Sequence, residues 1–280
     1  MGVITKSNLM SFTLNVVLAT SIMAEIGSGK STRGAELSVE ELARKLTSWI
    51  GETVSAAGSK GVVVGMSGGI DSSVAAALCQ RAYPEATLGI IMPCHSDKMD
   101  REHADLVAAK FRIPVEVVVL DEVFDTLAKV LPGEGYDAAT KKLAEANIKP
   151  RLRMVTLYYL ANRLNYLVVG AGNRSELSVG YFTKYGDGGV DLLPLGNLVK
   201  SQVRDLAMYL GIPRGIIDKP PSAGLWSGQT DETEMGLTYG ELDHCLMTGE
   251  AGDKIKEKID SMMVRSGHKR CPPPVPPFCV

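Results

Sequence analysis

The sequence lacks the paired cysteines of a secreted or zinc-binding protein. Its five cysteines are odd in number and scattered, and no two of them form a C-x-x-C pair. This pattern indicates reduced thiols in a reducing compartment, rather than a disulfide framework or a structural zinc site. The four histidines show no metal-ligand spacing either. We therefore expect a cytoplasmic protein.

The sequence also lacks an excess of charge of either sign. It has 30 Lys and Arg residues against 32 Asp and Glu residues, which gives a formal net charge of −2. Proteins that bind nucleic acids carry a basic surface, so this balance argues against a nucleic-acid partner. The hydrophobic fraction of 45% and the charged fraction of 22% are those of an ordinary soluble globular protein.

No apolar run in the sequence is convincing as a membrane span. The stretch "NLMSFTLNVVLATSIMA" follows Lys6 and has the outline of a signal peptide, but it is too short and too polar to cross a membrane. We interpret residues 1–33 as an added or mis-started leader, with Met23 as the true start. The alternative is a signal peptide on a periplasmic or secreted protein. Residues 34–280 are predicted to form a single domain that ends in a Pro-rich tail.

Apolar runs alternate with amphipathic stretches along most of the chain. Helical spacing of apolar residues marks the stretches between the runs, including a strong pattern at 151–165. The runs typical of buried strands lie at 61–65, 87–93, 114–120 and 166–170. This alternation predicts an α/β fold, a doubly wound parallel sheet with helices on both faces. In such sheets ligands bind at the carboxyl ends of the strands.

The stretch "GVVVGMSGGIDSSVAAALC" at 61–79 lacks the lysine that a Walker phosphate loop carries. Gly68 and Gly69 leave backbone N–H groups open to an anion, and the helix that follows adds the positive end of its dipole. Asp71 would repel a bare phosphate, so its place here predicts a Mg²⁺ ion between the carboxylate and the phosphates. Such a loop suits pyrophosphate as the leaving group, which means cleavage of ATP between its α and β phosphates.

The motif "SGGIDSS" resembles the pyrophosphate loop of the N-type ATP pyrophosphatases, whose fold is adenine nucleotide alpha hydrolase-like. Within that group the chain resembles NAD synthetase from about residue 38 to the tail, and it has no N-terminal glutaminase domain. It is therefore identified as a member of the ammonia-dependent form. The stretches that carry the resemblance are "KPRLRM" (149–154), "SVGYFTKYGDGGVDLLPL" (178–195), "PPSAGLW" (220–226), "DETEMGLTY" (231–239) and "HKR" (268–270).

The resemblance implies a ligase that forms a C–N bond in the last step of NAD biosynthesis. ATP first adenylates the nicotinate carboxylate of nicotinic acid adenine dinucleotide (deamido-NAD) and releases pyrophosphate. Ammonia then attacks the acyl-adenylate and gives NAD and AMP. The implied ligands are deamido-NAD, ammonia, ATP as co-substrate and Mg²⁺. The implied assembly is a homodimer with no nucleic acid or membrane partner. A separate glutaminase is possible, but no sequence feature indicates one.

The resemblance also implies a role for individual residues. The implied Mg²⁺ ligands are Asp71 and Glu176. Asp187 would orient ammonium or accept its proton, and Lys200 would stabilise the pentacoordinate α-phosphate. Contacts to deamido-NAD are implied for Arg151, Lys184, Asp191, His268 and Lys269. Contacts to ATP are implied for Gly65, Met66, Ser67, Gly68, Gly69, Ile70, Asp71, Ser72, Ala171, Lys200 and Ser222.

Structural roles remain open for some of these positions. Asp187 precedes two glycines and is equally suited to forming a turn. Arg153 lies two residues beyond Arg151 and faces another side of the helix, so the two are not expected to act as one clamp. The helix at 151–165 is a candidate dimer interface, although a buried core helix has the same pattern. We expect residues 268–270 to close over the site when substrate binds.

The sequence departs from the family pattern at three positions. Ala171 and Asn173 stand where many bacterial members have Thr and Asp, and Ser222 stands where close relatives have Thr. Because a methyl group donates no hydrogen bond, Ala171 is expected to meet ATP through its backbone or not at all. Ser222 keeps the hydroxyl group.

Two rival functions fit the phosphate loop less well. One is another N-type pyrophosphatase that acts on tRNA, which the net charge and the lack of a C-x-x-C pair disfavour. The other is a non-catalytic adenine-nucleotide sensor. A sensor of that kind is expected to lose its metal carboxylates, whereas Asp71 and Glu176 are both present.

Overall fold

The computed structural model describes residues 37–132, 135, 137–226 and 228–277. The predicted leader at residues 1–33 lies outside these residues, and its role stays a prediction. The elements in chain order are α1 (Val39–Ala56), β1 (Gly61–Gly65), α2 (Ile70–Ala82), β2 (Thr87–Ile91), α3 (Lys98–Phe111), β3 (Val115–Val117), α4 (Asp121–Val130), α5 (Ala138–Ala146), α6 (Ile148–Leu164), β4 (Tyr166–Val169), α7 (Arg174–Val179), α8 (Lys200–Leu210), α9 (Arg214–Ile217), α10 (Asp231–Met235), α11 (Tyr239–Thr248), α12 (Asp253–Arg265) and α13 (Gly267–Arg270).

The four strands form one parallel sheet in the order β3-β2-β1-β4. The chain moves outward from β1 to β3 and then returns to the other side of β1 to form β4. The direction of winding therefore changes between β1 and β4. In doubly wound sheets the crevice at the carboxyl ends of two such strands is the usual ligand site.

Helices cover both faces of the sheet, as predicted. Val62 and Val64 belong to the apolar layer that includes α1, α2 and α8, whereas Val63 packs with α6 on the other side. Strand side chains alternate between faces, so a strand that is buried on both faces needs an unbroken apolar run. The run "GVVVG" meets that requirement, which explains why β1 could be located from the sequence.

Some element boundaries differ from the predicted ones. β3 covers Val115–Val117 of the run at 114–120, and its side chains are exposed because it is the edge strand. α2 begins at Ile70 and α8 begins at Lys200, so Asp71 and Lys200 lie in the first turns of their helices. None of the helices within the described ranges is long and apolar enough to cross a membrane.

Candidate active site

The loop between β1 and α2 is fixed by hydrogen bonds among its own residues. Ser67 Oγ and Ser72 Oγ lie 2.9 Å apart, and the Ser73 hydroxyl donates to the Gly69 carbonyl over 2.7 Å. Gly68 has a φ of +75°, and a Cβ added there would lie 2.1 Å from the carbonyl oxygen of Asp100. The turn therefore holds the N-terminus of α2 at the crevice, where its dipole favours an anion.

The predicted ATP residues follow one another through this turn. Gly65 ends β1, and the buried Met66 donates its backbone N–H to the Ile90 carbonyl of β2 over 2.8 Å. Gly69 is the N-cap of α2, and Ile70 is its first residue. The strand and the helix thus hold the two ends of the loop in place, and contacts of these residues with ATP stay a prediction.

Asp71, Glu176 and Lys200 meet at the crevice between β1 and β4. Lys200 Nζ lies 2.6 Å from Asp71 Oδ2 and 3.2 Å from Glu176 Oε1, and the lysine side chain is 3% exposed. Burial alone would lower the pKa of Lys200, but the two carboxylates outweigh burial and hold that pKa above its usual value. Lys200 therefore stays protonated between two carboxylates that come from different parts of the chain.

Asp243, from α11, holds the backbone at the start of α8. Its Oδ1 accepts the Ser175 hydroxyl over 2.6 Å and the Lys200 N–H over 3.3 Å, and its Oδ2 accepts the Ser201 N–H over 2.8 Å. A carboxylate at a helix N-terminus satisfies free N–H groups and complements the dipole. The sequence analysis did not identify Asp243, which positions Lys200 without touching its ammonium group.

Tyr239 and Asp231 complete the polar cluster. The Tyr239 hydroxyl lies 2.9 Å from Asp231 Oδ2 and 3.2 Å from Glu176 Oε1. Burial raises the pKa of Glu176 to about 7 and also raises the pKa of Asp231 above its usual value. Asp231 Oδ1 is buried and has no hydrogen-bond partner among the described residues. Buried carboxylate oxygens in excess of their donors suit a site that binds a cation.

Asn173 orients both predicted metal ligands. Its Nδ2 donates to Asp71 Oδ1 over 2.9 Å, and its Oδ1 accepts the Glu176 N–H over 3.0 Å in a capping box at the start of α7. An aspartate in its place would set a third carboxylate against Asp71 with no proton to donate. The asparagine at position 173, where many bacterial members have Asp, therefore has a structural reason.

Asp231 and Tyr239 were not predicted as site residues. The sequence signal that could have identified them is the "DETEMGLTY" stretch, which contains both.

The other two predicted ATP contacts lie beside the loop. Ala171 follows β4 and packs against the core, as its methyl group requires. Ser222 is exposed, and its Oγ accepts the Gly224 N–H over 3.1 Å. An ion pair between Lys219 and Asp100 ties this segment to α3. Because Asp100 also packs against the phosphate loop, Ser222 lies in a segment that is anchored next to that loop.

Four of the five residues implied for deamido-NAD form a connected group. Arg151 donates through Nη2 to the Lys184 carbonyl over 3.3 Å, and Lys184 Nζ donates to the His268 carbonyl over 2.7 Å. Lys269 Nζ donates to the carbonyls of Gly180 and Phe182, each over 2.7 Å. The structure therefore joins α6, the segment after α7 and the short helix α13. Closure of residues 268–270 on substrate binding stays a prediction.

Arg153 and Asp187 have contacts that define their structural roles. Arg153 donates to the Met92 carbonyl over 3.1 Å and to Ser96 Oγ over 3.2 Å, so it points away from the partners of Arg151, as predicted. Asp187 Oδ1 accepts the Thr183 N–H over 2.9 Å. This contact shows that Asp187 stabilises its turn. Its proposed work on ammonia stays a prediction.

Asp191 is tied to the sheet. Its Oδ2 accepts the Val168 N–H over 2.8 Å, and its Oδ1 accepts the Tyr158 hydroxyl over 2.9 Å. Burial and the neighbouring Asp191 carboxylate raise the pKa of Tyr158 above its usual value. The carboxylate therefore holds the loop after α7 against β4 and α6.

We expect the Asp191→Ala variant to lose stability as well as activity. The change leaves the buried Val168 N–H without its acceptor, and an unsatisfied buried donor costs about 1–3 kcal/mol. The Tyr158 hydroxyl, whose contact with Asp191 is exposed, can donate to water instead. Urea denaturation should show a loss of about 2 kcal/mol in the free energy of unfolding, whereas Asp260→Ala on the exposed face of α12 should change it by less than about 0.5 kcal/mol. Unchanged stability of the Asp191→Ala variant would mean that Asp191 acts on substrate alone.

Known proteins share this architecture and sequence. The sequence model of the NAD synthase family matches residues 42–273. The NH₃-dependent NAD⁺ synthetase of Carboxydothermus hydrogenoformans is 52% identical over 237 residues, which cover 85% of this chain and 97% of that protein. The match to the solved NMN synthetase of Francisella tularensis has a TM-score of 0.81 and 38% identity and covers 87% of this chain and all of that one.

A second solved structure agrees with the first. The NH₃-dependent NAD synthetase of Campylobacter jejuni has a TM-score of 0.70 and 29% identity, and the match covers 86% of this chain and 99% of that one. The family model covers most of the chain, and the relatives match over nearly their whole length. On this evidence the chain belongs to the NAD synthase family.

Proposed function

We propose that this chain catalyses the ATP-dependent amidation of deamido-NAD by ammonia. It is a ligase that forms a C–N bond and yields NAD, AMP and pyrophosphate. The observation that carries this function is the contact of Asp71, Glu176 and Lys200 beside the "SGGIDS" loop, at the switch point of the sheet. The curated relatives named NH₃-dependent NAD⁺ synthetase support the acceptor and the nitrogen source.

The reaction divides into two steps. An oxygen of the nicotinate carboxylate attacks the α-phosphorus of ATP, and the bond to the bridging oxygen of the β-phosphate breaks to release pyrophosphate. The nitrogen of ammonia then attacks the acyl carbon, AMP leaves with the bonding electron pair, and the nitrogen loses a proton. Positioning and charge neutralisation contribute most of the catalysis, because no protein group has to react covalently.

The residues around the loop fit this chemistry. Backbone N–H groups at the start of α2 would hold the phosphates, and Lys200 would offset the charge that develops on the α-phosphate. Arg151, Lys184 and His268 lie in the connected group that would bind the dinucleotide. Asp187 lies in the same turn as Lys184, a member of this group, and would orient ammonium or accept its proton.

We also propose Mg²⁺ as the metal, with Asp71 and Glu176 as its protein ligands. Mg²⁺ prefers oxygen ligands and is commonly held by one or two carboxylates together with substrate phosphates. No group of three or more metal-binding side chains occurs within the described ranges, which suits a site completed by phosphate and water oxygens. The ion would neutralise the phosphates and polarise the bond that breaks.

The proposed assembly is a homodimer in the cytoplasm. α6 packs on the sheet through Leu157 and Leu160, but on its outer side Val155 and Tyr159 are each 60% exposed. Val130 of α4 is 74% exposed. Exposed apolar side chains on neighbouring elements favour burial against a second copy.

The acceptor could also be a mononucleotide. The solved NMN synthetase of Francisella tularensis has a TM-score of 0.81 to this chain, and amidation that yields NMN would start from nicotinic acid mononucleotide. The reacting carboxylate is the same, so the difference lies in the contacts to the rest of the acceptor. The 52% identity to an NAD⁺ synthetase favours the dinucleotide.

A product assay tests this function. The protein is incubated with ATP, Mg²⁺ and either deamido-NAD or nicotinic acid mononucleotide, with ammonium chloride or with glutamine, and the products are separated by chromatography. We expect equal amounts of NAD, AMP and pyrophosphate from deamido-NAD and ammonium, with little product from glutamine. Higher kcat/KM for the mononucleotide would reassign the acceptor. If neither acceptor yields AMP and pyrophosphate, the proposed reaction is wrong.

A further inference from the structure

The ammonium group of Lys200 lies in the gap between the two proposed metal ligands. Its Nζ bonds to Asp71 Oδ2 over 2.6 Å and to Glu176 Oε1 over 3.2 Å. Asp71 and Glu176 are also the residues that would hold Mg²⁺, which takes carboxylate oxygens as ligands. The ammonium group and the ion would therefore compete for one small region and repel each other at short range.

The two carboxylates need a positive partner. Their side chains are 17% and 16% exposed, and burial of adjacent like charges without a counter-ion is costly. Asn173 and Tyr239 provide neutral contacts to this pair. Within the described ranges, Lys200 is the one cation in ion-pair contact with either carboxylate. It therefore already provides the local charge compensation that a metal ion would provide.

Lys200 lines a cavity of about 230 Å³ together with Tyr239, Asp243 and other residues of α8, α10 and α11. Asp243 fixes the backbone of Lys200 rather than its ammonium group. A movement of the side chain alone would change its partners while the backbone stays in place, and the phosphates of ATP would offer the new anionic partner.

We propose that Lys200 is the counter-ion of Asp71 and Glu176 in the free enzyme and occupies the Mg²⁺ site. The metal would then bind together with ATP and not before it. This proposal rests on the proposed function. When the phosphates arrive, they would draw the ammonium group away from Asp71 and Glu176 and leave both carboxylates for the metal. The free enzyme should then bind divalent cations weakly, and its affinity should rise when nucleotide is present.

The test measures the binding of Mn²⁺, a probe for the Mg²⁺ site, by equilibrium dialysis of the full-length chain. Wild type is compared with Lys200→Met, and Lys219→Met is the matched control. Lys219 also forms an ion pair with an aspartate, Asp100, but that pair does not include the proposed metal ligands. Each protein is measured alone and with α,β-methylene ATP, which cannot be cleaved between its α and β phosphates.

Without nucleotide, we expect Lys200→Met to bind Mn²⁺ at least tenfold more tightly than wild type, while Lys219→Met binds it as weakly as wild type. With the nucleotide analogue, wild type should bind Mn²⁺ at least tenfold more tightly than it does alone. Thermal unfolding gives a second readout, because Mg²⁺ alone should raise the Tm of Lys200→Met and leave the wild-type Tm unchanged.

Tight Mn²⁺ binding by wild type without nucleotide, equal to that of Lys200→Met, would overturn the proposal and leave the metal site intact. If no protein binds Mn²⁺ even with the analogue, the metal site of the proposed function is wrong, and the proposal fails with it. If Lys200→Met does not fold, Lys200→Gln replaces it, because a neutral amide can still donate hydrogen bonds to both carboxylates. The comparison of wild type with and without the analogue needs no variant.

Discussion

The Asp71→Asn variant should lose about a thousandfold in kcat/KM for ATP, which corresponds to about 4 kcal/mol of transition-state stabilisation. Asp71 Oδ2 contacts Lys200, and its Oδ1 accepts a hydrogen bond from Asn173. An amide in its place carries no charge for the metal or the lysine. Its NH₂ group would also meet either an ammonium group or another amide NH₂, so donor would face donor. Steady-state kinetics of AMP release measures the loss.

Asp205→Asn is the matched control for this change. Asp205 lies on the exposed side of α8, the helix that Lys200 begins, and it undergoes the same loss of charge. Its kcat/KM should stay within twofold of wild type. Circular dichroism and urea denaturation should show that the Asp71→Asn variant still folds, since the sheet and its core do not involve this carboxylate. A kcat/KM within tenfold of wild type would exclude Asp71 as a metal ligand.

The features that the sequence could predict are those with local causes. The apolar run at 61–65 and the glycines that follow it located β1 and the turn into α2. The parallel sheet with helices on both faces also followed, because apolar runs that alternate with helices favour that arrangement. The length of the edge strand β3 was overestimated, since an apolar run does not reveal how many of its residues form hydrogen bonds with a neighbouring strand.

The contacts that the sequence could not predict join distant positions. Lys200 and Asp71 are 129 residues apart, and Asp243 lies a further 43 residues along the chain from Lys200. Such pairs depend on which strand ends are neighbours, and this follows from the strand order rather than from any local pattern. The role of Asn173 could not be predicted from the sequence for the same reason. Its amide donates to Asp71, which lies 102 residues away in the chain.

The Gly68→Ala variant should be the most damaging single-methyl change in the loop. Gly68 has a φ of +75°, which costs a residue with a side chain about 1–3 kcal/mol. The added Cβ would lie 2.1 Å from the Asp100 carbonyl oxygen, which belongs to the backbone of α3 and cannot rotate away. We expect the free energy of unfolding to fall by more than about 3 kcal/mol and the binding of α,β-methylene ATP to be lost, because either the turn or α3 must shift.

Gly69→Ala is the matched control for Gly68→Ala. It tests whether the loss comes from strain at Gly68 or from a need for glycine anywhere in the loop. Gly69 has a φ of −86°, and a Cβ there would lie 3.4 Å from Ser67 Oγ, a distance that a small movement of the serine accommodates. It should cost less than about 1 kcal/mol, the usual range for an N-cap position. Urea denaturation and calorimetric titration with the analogue compare the two variants. Equal losses at both positions would mean that the loop needs flexibility at each glycine, whereas a large loss at Gly68 alone would show that the left-handed turn against Asp100 shapes the phosphate site.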